Sequence, residues 1–326
     1  MSNESVILEN WSQAERWAWE EIKAGRCADF NMCYRQKPDP EKQEGWDDAK
    51  NDRQLSQAFL KTILTSESFI GKTTYLGVRI KGAYLKDDIN LEHVLLQRQL
   101  WLTHCRVKGA LILDDLHTDD WLSFERSCIE GEVSLVRAKL GSFVSLNRVK
   151  ITGEASLTDA EIDGELDISG SQVANKLDLS GIEVRRDLKM NAGGMFAEVS
   201  LVNVNIGGVL DMSESKFDGT LYMNGIEIKR NLLMDLNAIF KDVALLNARI
   251  DGQLRMNEST FFGNLDMNGI EVVQYLGMSD GGEFNNVKIL NAIIDGQLDM
   301  RNSIFRGDID LSGITIGHDL VMNKAE

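Results

Sequence analysis

The sequence predicts an all-β solenoid of short strands wound into coils of about 22 residues, with a small helical cap on the N-terminal side. Three observations predict this fold. Aliphatic residues recur every eleven positions, and a second apolar series follows two positions after the first. Glycine is abundant at 28 residues while proline is nearly absent at 2, a composition that suits closely spaced corners better than helical bundles.

The eleven-residue ladder holds for 23 consecutive positions from Val78 to Leu320, with no insertion or deletion. Two weaker series lie five and seven residues after each ladder position, as in the small Ser215 and the large apolar Phe217. An eleven-residue period can also indicate a right-handed coiled coil. Residues spaced by two point the same way from a strand but to different sides of a helix, so this pattern favours short strands joined by corners.

A 44-residue period is superimposed on the ladder, as shown by Ile162, Ile206, Ile250 and Ile294. If one ladder step covers two faces, two steps close a square coil of four faces, and residues two steps apart stack directly. The interior column from position 166 to position 320 then consists of leucine alone, and its neighbour is mostly methionine. Triangular coils of three ladder steps would mix residue types. About eleven coils at about 4.8 Å each give a rod of about 50 Å.

The motifs "SKFDGTLYMNG" and "STFFGNLDMNG" resemble those of the pentapeptide-repeat superfamily. In that family a small residue and a large apolar residue two positions later point into a square, right-handed β-helix. Ser215 with Phe217 and Ser259 with Phe261 match that pair. This chain departs from the family pattern by one extra residue per two faces. The resemblance covers about residues 72–323 and implies the architecture; it specifies no activity.

Residues 1–71 do not follow the ladder and are predicted to form an α-helical cap, leaving 72–326 as the β-helix. Ser12 and Glu15 have the spacing of a capping box at the start of a helix that Gly25 ends. A second helix is expected from about Asp47 to Leu64. Such a unit covers an open first coil, as solenoids require; a partner-binding head is the alternative. The candidate contacts with the first coil are Trp11, Trp17, Trp19 and Phe59.

The segment "ERWAWEEIKAG" is similar to the N-terminal region of some bacterial proteins labelled membrane-associated oxidoreductases. Some of those proteins carry a hydrophobic C-terminal segment. In this chain the ladder is intact to within a few residues of position 326, which leaves an adhesive strand edge. We expect either an end-to-end homodimer or a natural chain that continues. The candidate end-to-end contacts are Leu311, Ile314, Ile316, Leu320 and Met322.

The net charge of −16 argues against direct binding to nucleic acid or anionic lipid and leaves room for basic protein partners. The four cysteines are Cys27, Cys33, Cys105 and Cys128; they form no C-x-x-C pair, so reduced thiols and a cytoplasmic location are predicted. No run of 18 apolar residues indicates a transmembrane segment, and a membrane location is expected only if the natural chain continues.

No catalytic, cofactor-binding or metal-binding constellation is predicted. The four histidines lack metal-ligand spacing, and nine of the twelve methionines occupy the second interior series. "IDGQLDM" at 294–300 looks like an acidic loop but falls on the ladder, so Asp295 and Asp299 are expected to face solvent. Its counterpart Asp163 is expected to pair with Arg185. The Gly-Gly pairs at 193–194 and 281–282 are expected at corners.

One outward row is more acidic than the others: Glu161, Glu183, Asn205, Glu227, Arg249 and Glu271, in which the four glutamates form the candidate interaction site. A solvated face and a site for a basic partner both fit it. The sequence predicts a non-enzymatic protein-interaction scaffold. Two alternatives stay open: a DNA mimic acting on a topoisomerase or another DNA-binding enzyme, and a structural protein that self-assembles through its open C-terminal coil.

Overall fold

The computed structural model describes residues 3–47 and 52–326. It is an all-β parallel solenoid of about eleven turns with roughly 22 residues per coil, which confirms the predicted fold class. Each coil has four short strands, one on each of four faces. Hydrogen bonds join strands of successive coils, so Leu166 pairs with Leu188 and Leu188 with Leu210.

The first face contains the leucine column. It begins with the strand Ala28–Asp29, which pairs with Ile80 and Lys81 of the first coil. Its strands are Val78–Lys81, Leu100–Thr103, Leu122–Ser123, Val144–Ser145, Leu166–Asp167, Leu188–Lys189, Leu210–Asp211, Leu232–Leu233, Gln253–Arg255, Tyr275–Gly277, Gln297–Asp299 and Leu320–Val321. The fourth face has one two-residue strand per coil. Its strands are Leu95–Leu96, His117–Thr118, Lys139–Leu140, Glu161–Ile162, Glu183–Val184, Asn205–Ile206, Glu227–Ile228, Arg249–Ile250, Glu271–Val272, Ile293–Ile294 and Thr315–Ile316.

The second and third faces form one sheet, because four longer strands run around the corner between them. The strands on the second face alone are Tyr84–Leu85, Arg106–Val107, Cys128–Ile129, Lys150–Ile151, Gln172–Val173, Met195–Phe196 and Ile304–Phe305. The strands on the third face alone are Ile89–Asn90, Leu111–Ile112, Val133–Ser134, Ala155–Ser156, Leu177–Asp178, Val199–Ser200 and Ile309–Asp310. The strands shared by both faces are Lys216–Tyr222, Ile239–Ala244, Thr260–Asp266 and Glu283–Lys288.

The interior columns are those expected from the ladder. Every leucine from Leu166 to Leu298 in the first-face column is completely buried, and so is every methionine from Met190 to Met300 in its neighbour. Two serines show why a small residue is needed five positions after the ladder. The hydroxyl of Ser171 donates to the Leu146 carbonyl and accepts from the Val149 amide of the previous coil, and Ser127 makes the equivalent bonds two coils earlier.

The corners follow the eleven-residue period through the backbone. A residue with positive φ closes a corner four positions after each ladder residue, and it is glycine at only some of them, such as Gly170 and Gly181. At others it is a charged residue, such as Arg126 or Arg148. The left-handed conformation turns the chain sharply, so such a residue forms one of the two corners in each half coil.

Direct stacking of residues two ladder steps apart holds on the second face up to Gln172 and is wrong from Met195 onward. There, Phe217 stacks between Phe196 and Phe240, and Met195 and Ile239 point outward. From Leu188 onward, every second coil lengthens its first corner by one residue, with two consecutive positive-φ residues such as Ala192 and Gly193, and shortens the next connection. The stacked rings have centroids 4.7–5.2 Å apart. The column comprises Phe196, Phe217, Phe240, Phe261, Phe284 and Phe305.

The N-terminal helices are α1 Asn3–Asn10, α2 Gln13–Lys23, α3 Phe30–Cys33, α4 Gln57–Thr65 and α5 Glu67–Ile70. The capping box at α2 is confirmed, since Ser12 accepts from the Glu15 amide and Glu15 accepts from the Ser12 amide. The expected helix start at Asp47 is wrong. Residues 48–51 lie outside the described residues, and Gln54 forms a parallel bridge with Tyr84, so α4 begins only after its cap Ser56.

Candidate functional site

The acidic row lies on the fourth face, where its members stack at successive coils as expected. Its charge is partly compensated. Lys139 precedes the row and lies 3.1 Å from Glu161, while Lys229 lies 3.1 Å from Glu227. Arg249 forms an ion pair with Glu271. Exposed pairs of this kind contribute little to stability, but they break the row into short anionic stretches.

Glu183 is the member of this row with the least compensation. It is exposed, its neighbours in the row are Glu161 and Asn205, and it has no ion pair among the described residues. The row therefore presents one compact negative region at Glu161 and Glu183, with cations on either side. Such a region can attract a small basic group.

The candidate cap contacts all lie in the N-terminal unit. Trp11, Trp19 and Phe59 are buried in the same apolar cluster as the first coil's Val78 and Leu96. The rings of Trp11 and Phe59 meet edge to face at 4.9 Å.

Two further features of the N-terminal unit complete its packing. Trp17 is half-buried and packs at 4.8 Å on Phe30, which is itself completely buried. The Glu15 carboxylate also accepts hydrogen bonds from the amide and hydroxyl of Ser56, so one carboxylate joins the starts of α2 and α4.

The segment that follows α3 contacts the outside of the solenoid. Residues 36–47, the strap, cross the second face. Arg106 donates to the Pro40 carbonyl at 2.5 Å, and the Lys150 ammonium lies 3.1 Å from a Glu41 carboxylate oxygen. No periodicity in the strap signals this path, because its contacts are set by single polar groups.

The last coil holds the five candidate end-to-end contacts. Leu320 and Met322 are 46% and 43% exposed, while Leu311, Ile314 and Ile316 are partly buried. Equivalent residues one coil earlier, such as Leu298 and Met300, are completely buried.

The heptapeptide at 294–300 contains one correction. Asp163 and Arg185 form the expected ion pair at 3.0 Å, and Asp295 stacks beside Gly317. Asp299, however, is completely buried and does not face solvent. Gly277 in the preceding coil leaves room for the Tyr275 ring to cross over it and bring its hydroxyl 3.2 Å from Asp299.

The Asp299 carboxylate is also bound by the guanidinium of Arg301 at 2.5 Å. A buried charge needs such a partner, so this arrangement is an ion pair in the scaffold.

The titratable groups are dispersed. Among residues 3–47 and 52–326, no group of three His, Cys, Asp or Glu side chains is placed to hold a metal ion. All four cysteines are free thiols, and burial raises the pKa of the Cys105 thiol to about 12. His93 lies at a corner beside Asp115, whereas His104 lies at a corner of the opposite side.

Sequence reasoning missed a groove on the outside of the first face, the aromatic groove, lined chiefly by Trp101, Trp121 and Phe143. Its volume is about 330 Å³, and Lys81, His104 and Glu125 contribute to its wall. The available signal was the pair of tryptophans at outward positions in successive coils. The interior ladder does not constrain those positions.

In the part of the chain that the structure describes, no helix is both long enough and apolar enough to cross a membrane. Comparisons with protein-family models, with curated proteins and with solved structures found no match to this chain.

Proposed function

We propose that this chain is a non-enzymatic scaffold that binds a protein partner through the outside of its solenoid, on the pentapeptide-repeat-like plan that the sequence resembles. The supporting observation is the division between inside and outside. The interior is filled by apolar columns, while distinct outward features occur on separate faces: the acidic row, the aromatic groove and the strap. A regular stack of coils holds these features at fixed spacing, which suits recognition of an extended partner.

The test combines crosslinking in cells with reconstitution. The full chain is crosslinked in its source cells, candidate partners are identified, and each is purified and mixed with the full chain. We expect at least one purified partner to bind with a dissociation constant below about 10 μM. This corresponds to a free energy of dissociation of about 7 kcal/mol or more. Hydrogen exchange should then show protection of amides on one outer face. Failure of every purified candidate to bind would refute the proposal.

End-to-end self-association is a second candidate function, favoured by the exposed Leu320 and Met322 of the last coil. The strand Leu320–Val321 is hydrogen-bonded to another strand on one side only. Sedimentation of the full chain across a concentration series tests it. A dimer that Met322→Glu converts to monomer supports the contact, and a monomer at all concentrations excludes it for this chain.

A further inference from the structure

The aromatic groove is formed by the outward aromatic rings of three successive coils. The rings of Trp101 and Trp121 stack with centroids 6.1 Å apart and an angle of 17° between planes, and Phe143 meets Trp121 edge to face at 5.7 Å. Trp121 is 48% exposed. Concave apolar sites of about 300 Å³ or more with a few polar groups are typical ligand sites.

Two polar atoms in the wall of the groove lack a partner within the described chain. They are the indole Nε1 of Trp101 and the imidazole Nδ1 of His104, and both are buried. Burial, aided by the nearby Lys81 cation, lowers the pKa of His104, so its ring is neutral at neutral pH. Unpaired buried polar groups cost free energy, so a ligand that bonds to either one gains affinity from it.

The wall of the aromatic groove holds Lys81 and Glu125, and two arginines stand at the corner beside it. The positive-φ corner of the first face carries the neutral His104 and then the cations Arg126 and Arg148 in successive coils. Farther along the same corner stand the acids Glu214 and Glu258.

Other cations surround the aromatic groove. The Arg79 guanidinium lies over the Trp101 ring, and Lys37 and Lys81 both act on His104. Some of these charges are already paired, since Lys81 lies 3.4 Å from Asp29 and Arg126 lies 3.1 Å from Glu125.

Arg148 stands at this corner as a cation available to a new partner. It is exposed and has no ion pair among the described residues. The next coil ends the cationic region, because its outward residues are Glu165 and Asp167. Three coils span only about 14 Å at about 4.8 Å each. A long polyanion would therefore meet repulsion beyond the groove, whereas a short anionic segment would not.

We propose that the aromatic groove binds a short acidic peptide segment of a protein partner, with one aromatic side chain of that segment packed against Trp121 and Phe143. Carboxylates flanking the aromatic residue pair with Arg148 and Arg126. Aromatic anchors in desolvated grooves commonly dominate binding energy, and local charge complementarity accelerates association. This inference rests on the proposed scaffold function and names the partner chemistry for one of its surfaces.

The test uses the full chain and a displayed peptide library in which a central Trp, Tyr or Phe is flanked by random Asp, Glu, Ser and Gly. Enriched peptides are synthesised with a fluorescein label, and their affinity is measured by fluorescence anisotropy. We expect Trp121→Ala and Arg148→Glu each to weaken binding at least about tenfold. Replacing the acids of the peptide by their amides should weaken it similarly.

Two matched variants control for nonspecific effects of these changes. Phe262→Ala removes a similarly exposed ring (49%) from a different face, and Arg230→Glu reverses an exposed charge at another corner. Both should change affinity less than about twofold. Circular dichroism of each variant should match the parent.

Three outcomes overturn the inference: no enriched peptide, equal loss in the control variants, or tighter binding of a labelled single-stranded oligonucleotide to the same groove. The failure of the inference can be distinguished from failure of the scaffold function. If a purified partner protects another face from hydrogen exchange while no acidic peptide binds, the scaffold stands and this inference falls.

Discussion

Replacing Leu254 with aspartate should break the solenoid locally. Leu254 is completely buried and pairs in register with Leu232 and Leu276. Truncating such a leucine to alanine costs about 3–5 kcal/mol. An unpaired polar carboxyl adds about 1–3 kcal/mol, which makes about 4–8 kcal/mol in total. Leu320→Asp is the matched control, because the same column ends there with a half-exposed side chain. Its expected cost is about 1 kcal/mol.

The penalty at Leu254 should also depend on pH. Burial raises the pKa of an introduced carboxyl, so the folded state retains a proton that the unfolded state loses above about pH 4. The stability lost is therefore smallest below pH 4 and grows as pH rises through the next units, by up to about 1.4 kcal/mol per pH unit. Urea titrations of the parent and both variants at pH 4 and pH 7 measure this difference.

Because coils contact only their neighbours, unfolding need not be a single transition, and hydrogen exchange locates the damage. We expect Leu254→Asp to expose amides of the coils around residues 232–276 while the coils before Phe143 keep their protection. If Leu254→Asp and Leu320→Asp melted alike, the interior assignment of this column would be wrong.

Four further outcomes are expected. Ser171→Ala should lower the free energy of unfolding by about 1–2 kcal/mol in urea titrations, because the Leu146 carbonyl and Val149 amide lose a buried partner; an unchanged midpoint would contradict this role. In iodoacetamide labelling at pH 8 followed by mass spectrometry, the Cys105 thiol, whose pKa is about 12, should react only after unfolding, and rapid labelling of the native chain would disprove its burial. Since the unfolded thiol ionises near pH 9 and the folded one does not, stability should fall as pH rises above 9, and less so in Cys105→Ala. The chain should leave DNA gyrase supercoiling unaffected, because cations interrupt the acidic row; inhibition that is lost on reversing Glu183 would restore the DNA-mimic hypothesis.

The interior could be read from the sequence because stacking imposes one residue type on each column. Leu232 is surrounded by its equivalents in the neighbouring coils, so its environment repeats once per coil and so does the side chain that fills it. Period-two alternation then distinguishes strand from helix without any knowledge of the corners.

The shift in register on the second face could not be predicted from the ladder, because it cancels within each coil. Phe196 comes eight residues after Leu188, whereas Phe217 comes seven after Leu210. The longer first corner is compensated before the third face begins, so the ladder shows no insertion. The sequence signals are the alternating position of phenylalanine and the Gly-Gly pairs at 193–194 and 281–282, and they account for part of the 44-residue period.

Outward features were harder to predict, because no repeating environment constrains them. The burial of Asp299 depends on Gly277 leaving space for one particular ring, and the strap's path depends on Arg106 and Lys150. The candidate site likewise includes Trp101 and the other outward rings, whose meeting depends on coil-to-coil register.

The conformational cost of the cationic corner yields a further prediction. Arg148 adopts φ of 52°, a conformation that costs a residue with a Cβ about 1–2 kcal/mol, whereas glycine adopts it freely. Equivalent corners in other coils use glycine, as at Gly170. Since glycine loses about 0.5–1 kcal/mol more through backbone entropy, Arg148→Gly should raise stability by about 0.5–1 kcal/mol in urea titrations. Arg148→Gly should also weaken acidic-peptide binding, by about fivefold or more. The effect is smaller than that of Arg148→Glu, because the glycine removes the positive charge without adding a negative one. Higher stability with reduced binding would show that Arg148 serves binding at the expense of stability. Higher stability with unchanged binding would show that this corner has no role in recognition.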